Sequence, residues 1–184
     1  MGADHGPARQ TGRPAPSILG TVSVHRVHFA RFPAFELCGA GGLTVEMGRY
    51  SALNIYFGWG QRLVLPTGPT WRVIAVQKGP LLHPVVLNET RQRLAMASAG
   101  LGNYGINGRD YAYTLNPAEA ARFGRSGRWD LFRGEDRVAS FTRRPFGADC
   151  EQPLPLPAVL LALLLTRLSI PGEADMHVPQ MRWG

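Results

Sequence analysis

Cysteine and lysine are almost missing from this chain. Two cysteines, Cys38 and Cys150, occur in 184 residues. That excludes a disulfide-stapled scaffold, and without any C-x-x-C pair it excludes the usual zinc spacings. Two reduced thiols at or near a core are what remains. Lys78 stands alone against 19 arginines. The N-terminal stretch lacks the apolar segment of a secretory signal, so the chain reads as cytoplasmic. Asn88-Glu89-Thr90 has the form of a glycosylation sequon, which has no use in that compartment. No apolar run approaches the roughly 20 residues that a membrane-spanning helix needs.

Acidic residues are also few, 13 against 20 cations, leaving a formal net charge of +7. The excess is uneven. Residues 61–100 carry Arg62, Arg72, Lys78, Arg91 and Arg93 against Glu89 alone, and residues 122–144 carry seven arginines against three acids. Each stretch is net +4, whereas residues 145–184 are net −2. Arginine keeps its charge and forks onto carboxylates and phosphates. Together these features call for an anion-binding surface, with a solvated arginine-rich exterior as the plain alternative.

Glycine and proline are plentiful, 22 and 15 residues. About a fifth of the chain is therefore turn-former, which disfavours a helical bundle and suits short strands. Residues 1–17 have no hydrophobic periodicity and read as a tail. From Ile18 onward a series of β-like runs begins. It includes Phe35–Cys38, Leu43–Met47, Asn54–Phe57, Arg62–Leu65 and Trp71–Gln77. Val85–Asn88 and Leu94–Ala99 make a hairpin across Glu89–Arg93, and Trp129–Arg133 with Arg137–Phe141 make another across Gly134-Glu135-Asp136. Asn107-Gly108 has the composition of a type I′ hairpin turn. Asn116, Pro117 and Glu119 predict the capped start of a short helix that Gly124 would end. Ten to twelve strands are expected in all.

One segment breaks the β pattern. Ala158 to Leu165 is eight apolar residues in a row, dominated by leucine and alanine, which favour helix. Pro157 fits the first turn, and Pro171-Gly172 stops the element. The 12 residues Pro157–Leu168 make about 18 Å of helix, too short for a bilayer core of about 30 Å. Eight consecutive apolar residues point in every direction around the axis, so the helix needs protein on all sides. A sheet closed around it supplies that and also removes exposed strand edges. A barrel of this many strands has a lumen wider than its own side chains fill. The expected architecture is therefore a closed antiparallel β-barrel around a buried helix near the C-terminus. Residues 18–171 form the barrel with its helix at 157–168, and residues 172–184 form a final segment whose Met176, Val178, Met181 and Trp183 cover something apolar.

The serial hairpins, the Trp129–Phe141 hairpin and the leucine-rich helix resemble the tubby C-terminal-like superfamily, which includes the scramblases and the LURP-one-related proteins. The resemblance is one of pattern and covers roughly Ile18 to Ile170. It implies a binding or scaffold module more than an enzyme, with tubby domains known for binding phosphoinositide head groups through basic side chains. The site residues of those proteins do not map one by one onto this chain.

Motifs with enzymatic meaning fail on context. Gly100–Gly105 fits G-x-G-x-x-G, but a turn follows where a dinucleotide site needs a helix. His25 and His28 stand three apart, which puts them on opposite faces of a strand. Gly124-Arg125-Ser126-Gly127 is not a nucleophile elbow. No catalytic residue, metal ligand or cofactor is therefore assigned. An enzyme whose site is assembled from distant residues, His83 among them, ranks below two binding readings. The first is recognition of an anionic lipid head group or a phosphorylated ligand through Arg91, Arg93, Arg125, Arg128, Arg143 and Arg144. The second is a scaffold for a protein partner. Nucleic acid is disfavoured, because no recognition module is present and Tyr111 and Tyr113 at period two suit sheet packing.

Overall fold

The computed structural model describes residues 16–27, 34–39, 44–47, 61–64, 70–78, 81–100, 102–118, 127–143 and 145–168. The chain is mainly β, with one described helix on the C-terminal side. The strands are β1 (Ser17–Val27), β2 (Ala34–Gly39), β3 (Thr44–Met47), β4 (Gln61–Val64), β5 (Thr70–Lys78) and β6 (Leu81–Leu87). They continue with β7 (Arg93–Ala99), β8 (Tyr104–Gly108), β9 (Ala112–Pro117), β10 (Arg128–Arg133), β11 (Asp136–Arg143) and β12 (Phe146–Pro155). The helix α1 spans Leu156–Leu168. Every strand pairs antiparallel with its neighbours in sequence, and β12 returns to pair with β1, so the ring of ladders closes into a barrel.

Alternation explains most of the strands. On β5, Trp71 and Val73 are buried while Arg72 between them is exposed. On β10 and β11, Trp129 faces Phe141 and Leu131 faces Ala139, all inside. Their hairpin turns at Gly134, whose φ of 62° is the left-handed region that glycine enters without penalty. A register shift between Ile18 and Gly20 leaves Leu19 turned outward, 52% exposed, while Ile18 and Val22 stay in the core.

Helix α1 packs against β1, β6, β7, β8, β10, β11 and β12. Each residue from Leu156 to Thr166 is buried, so the helix is enclosed around its whole circumference. Its 13 residues make about 20 Å, comparable with the strands around it. The chain enters it directly from β12, and the Leu156 N–H donates to the Pro16 carbonyl at 2.8 Å. Alanines at Ala95, Ala97, Ala139 and Ala148 are buried on the strands that touch the helix. Their small side chains leave room for its leucines. Thr166 Oγ1 is buried without a hydrogen-bond partner among the described residues.

Several local expectations are corrected. Asn107 and Gly108 belong to β8, and neither has positive φ. The reversal falls at Arg109 and Asp110, and the Gly108 N–H donates to the Tyr111 carbonyl at 2.9 Å. A Cβ at 108 would overlap the Tyr111 ring where it now lies, so glycine lets that ring pack over the strand end. Asn116 and Pro117 close β9, where they pair with Asp130 and Trp129 of β10; the body of the expected helix, through Glu119 to Gly124, lies outside the described residues. Cross-strand pairing takes the two residues that carry the local capping signal. The tail boundary moves back, because Ser17 already pairs with Pro155, and the helix begins one residue earlier, at Leu156. The expected strand at Asn54–Phe57, His28 and the segment 172–184 lie outside the described residues.

Candidate anion-binding site

Strand direction alternates around the barrel, so each turn belongs to one of two ends. The β6–β7 and β10–β11 turns share one end. The start of β10 and the junction of β11 with β12 lie at the other. Arg91 and Arg93 therefore stand at the first end, and Arg128 and Arg143 at the second. The six residues of β10 alone separate the two ends by about 20 Å. These arginines do not form one basic surface. Arg125 and Arg144 lie outside the described residues.

At the second end, Arg128 is already occupied. Its Nε and Nη2 both donate to Asp130 Oδ1 at 3.2 Å. Its neighbour across the ladder is Thr142, and Arg143 is the next residue. The Arg143 N–H donates to the Gly127 carbonyl at 3.1 Å, and its side chain is exposed.

At the first end, a groove of about 670 Å³ runs along the outside of β5 and the end of β6. Thr70, Arg72, Ile74, Leu87, Asn88, Glu89 and Arg91 line it. Ladder register builds this wall. Arg72 pairs with Leu87, so both face outward from adjacent strands, and Arg93 follows opposite Leu87 on β7. The turn between β6 and β7 supplies Arg91. Asn88 holds that turn through its side chain. Its Oδ1 accepts from the Gln92 N–H at 2.8 Å and from Thr90 Oγ1 at 2.9 Å. The Asn88 N–H donates to the Gln92 carbonyl, and the Arg91 N–H donates to the Asn88 carbonyl, both at 3.0 Å. Arg91 is carried at φ 61°, the sole positive φ of a non-glycine described residue. An L residue there costs about 1 kcal/mol or more.

Neither Arg72 nor Arg91 is in an ion pair among the described residues, where the pairs are Arg128–Asp130 and Arg137–Glu151. Arg93 Nη1 approaches Met96 Sδ at 4.0 Å. Two forked guanidiniums thus stand over a floor of Ile74 and Leu87. The volume lies within the usual range for small-molecule sites, about 300–1,000 Å³.

The same end carries an aromatic belt. Arg133 donates to Tyr113 Oη at 2.7 Å, with its guanidinium carbon 5.2 Å from the Tyr113 ring centre. The Tyr113 and Tyr111 rings lie 5.4 Å apart, and Tyr111 Oη donates to the Leu94 carbonyl at 3.2 Å. Burial, with Tyr113 adding to it, pushes the Tyr111 hydroxyl up to about 12. This belt ties β10, β9 and the start of β7 together at that end of the barrel.

The other sequence candidates resolve into structural roles. The His83 ring is buried, and its Nδ1 lies 3.1 Å from the Ala97 carbonyl. An acceptor-only partner requires Nδ1 to carry the proton. Gly100 and Gly105 flank a strand-to-strand turn, with Gly105 paired to Ser98 in the β7–β8 ladder. Cys150 is a free, buried thiol, and burial together with Asp149 pushes it up to about 11. No group of three metal-ligating side chains converges, and no helix is long and apolar enough to cross a membrane, among the described residues.

Arg72 was absent from the sequence candidates. The alternation in β5 put it on the face opposite Trp71, but its neighbourhood with Arg91 depends on the β5–β6 register. Comparison with protein-family models, curated proteins and solved structures finds no match to this chain.

Proposed function

We propose that this chain is a non-enzymatic binding module of the tubby-like type. It takes an anionic group, a phosphorylated ligand or a lipid head group, in the groove beside the β6–β7 turn. The observation that carries the reading is the pair Arg72 and Arg91, both lining one concave site with no acid paired to either guanidinium. Arg93 adds a third cation from the adjacent strand. The backbone strain at Arg91 supports the reading, because strained positions held by surrounding hydrogen bonds cluster at functional sites. The apolar floor also suits a ligand with a carbon skeleton next to its charge. A barrel around an apolar helix is what the resemblance to tubby-like proteins implies, and it supplies a rigid frame for the site. The protein works in the cytoplasm, peripherally at a membrane where the ligand is a head group.

The test is co-sedimentation with neutral and anionic liposomes at low and high salt, beside titration with inorganic tripolyphosphate. Binding to anionic vesicles that high salt abolishes is expected for head-group recognition through arginine. Binding of tripolyphosphate without vesicle binding identifies a soluble phosphorylated ligand. The double variant Arg72→Ala/Arg91→Ala loses either activity, whereas Arg143→Ala at the far end keeps it. Unchanged binding by the double variant refutes the site. Salt-resistant binding to neutral liposomes refutes the enclosed-helix account.

A further inference from the structure

Glu89 stands inside this groove, against its charge. The β5–β6 ladder pairs Arg72 with Leu87, and two residues further along the same register would set Thr70 opposite residue 89. The ladder ends at Leu87, which leaves the Thr70 N–H without a ladder partner on the β6 side. Glu89 Oε1 takes it instead, at 2.8 Å. A carboxylate is thus placed on a main-chain donor in a site lined by two arginines, and neither arginine bridges to it. The donor is satisfied, the guanidinium forks stay open, and the negative charge lowers the groove's attraction for any incoming anion.

We infer that Glu89 is a built-in competitor for the groove. A phosphate-type anion displaces it and collects the Thr70 N–H together with Arg72 and Arg91. The inference rests on the anion-binding reading above. It makes Glu89 a residue that sets the affinity threshold: weakly charged anions fail against it, and a multiply charged phosphate prevails. Glu89 is exposed, so it can swing into solvent without leaving a buried charge.

The test is a titration with inorganic tripolyphosphate at low salt, using the full chain and the variants Glu89→Gln, Glu89→Ala, Glu135→Gln and Arg72→Ala/Arg91→Ala. Glutamine keeps an oxygen for the Thr70 N–H and removes only the charge. Alanine removes both. Each Glu89 variant is expected to bind about two- to fivefold tighter, the scale of an exposed charge interaction. Glu135 lies at the same end of the barrel but does not line the groove, so its variant binds like the wild type. Vesicles containing phosphatidic acid, run beside free tripolyphosphate, separate a head group from a soluble phosphate. If Glu89→Gln binds no tighter while the arginine variant loses binding, the competitor role is wrong and the anion site stands. Equal gains from Glu89→Gln and Glu135→Gln also overturn the competitor role, because bulk charge then accounts for both. If binding ignores Arg72 and Arg91, both readings fall.

Discussion

Replacing Val159, Leu160 and Leu161 by alanine, one at a time, tests whether the helix is enclosed. Successive helical residues point about 100° apart, so these three sample most of the circumference. Val159 and Leu161 are 0% exposed and Leu160 is 4% exposed. A buried Leu→Ala change costs about 2–5 kcal/mol, more where the surroundings cannot collapse. A helix ringed by seven strands has little room to collapse, so each leucine change is expected in the upper half of that range. Val159→Ala, with fewer atoms removed, costs about 2 kcal/mol. Against a total stability of about 5–15 kcal/mol, each leucine variant loses a substantial share. The assay is urea unfolding followed by the fluorescence of buried Trp71 and Trp129, with the midpoint falling and the slope unchanged. Leu161→Asp buries an unpaired charge, and that variant is expected not to fold. A helix lying on the outside of a sheet would have one tolerant side. A cost below about 0.5 kcal/mol, the ordinary surface value, at any of the three positions refutes the enclosure. So does a folded, soluble Leu161→Asp protein.

Other perturbations follow from particular contacts. At Gly147 an added Cβ would meet the Val22 carbonyl oxygen across the β1–β12 ladder. Gly147→Ala is therefore expected to lower stability by about 1–3 kcal/mol, and an unchanged melting temperature would contradict the close approach at the barrel seam. Arg91→Gly relieves the left-handed backbone, so it raises stability by about 1 kcal/mol while weakening tripolyphosphate binding. A variant less stable than the wild type would show that the turn does not strain Arg91. Burial raises Cys150 from 9.0 to about 11 and Tyr111 from 10.0 to about 12. Both groups keep their protons longer in the native state than in the unfolded chain. Their contribution is thus fully present below about pH 9 and is lost as pH rises through 11 and 12. The urea midpoint should fall over that window, and fall less steeply in Tyr111→Phe; a midpoint that holds or rises would refute the assignment. In a Cys38→Ser background, Cys150 should resist alkylation at pH 8 until urea unfolds the protein, and rapid reaction of the native state would be the contrary result.

The legibility of this molecule in its sequence follows distance along the chain. The hairpin of β10 and β11 was readable because its turn residues and alternating apolar positions lie within 16 residues, Arg128 to Arg143. The helix was readable because its unbroken apolar run permits only burial on all sides. Where local signals compete with pairing, reading failed. Asn116 and Pro117 carry the signature of a helix start, yet the ladder with β10 draws them into β9. Asn107-Gly108 carries the signature of a turn, yet Gly108 serves the ring of Tyr111.

The basic site was the least legible feature. Arg91 and Arg93 could be picked out as neighbours on one hairpin. Nothing in the order of residues put Arg72 beside them, or showed that Arg128 is held by Asp130.

By itself, the sequence determined the mainly-β class, the position of the helix and the supply of arginine, because composition and short-range periodicity act through neighbours. Tertiary structure alone decided the closure of β12 onto β1, which joins Ser17 to Pro155. It also decided the division of the arginines between two ends and the placing of Glu89 on the Thr70 N–H. Each of these depends on register between strands distant in the chain, where the shape of the whole ring and no local preference sets which residues meet.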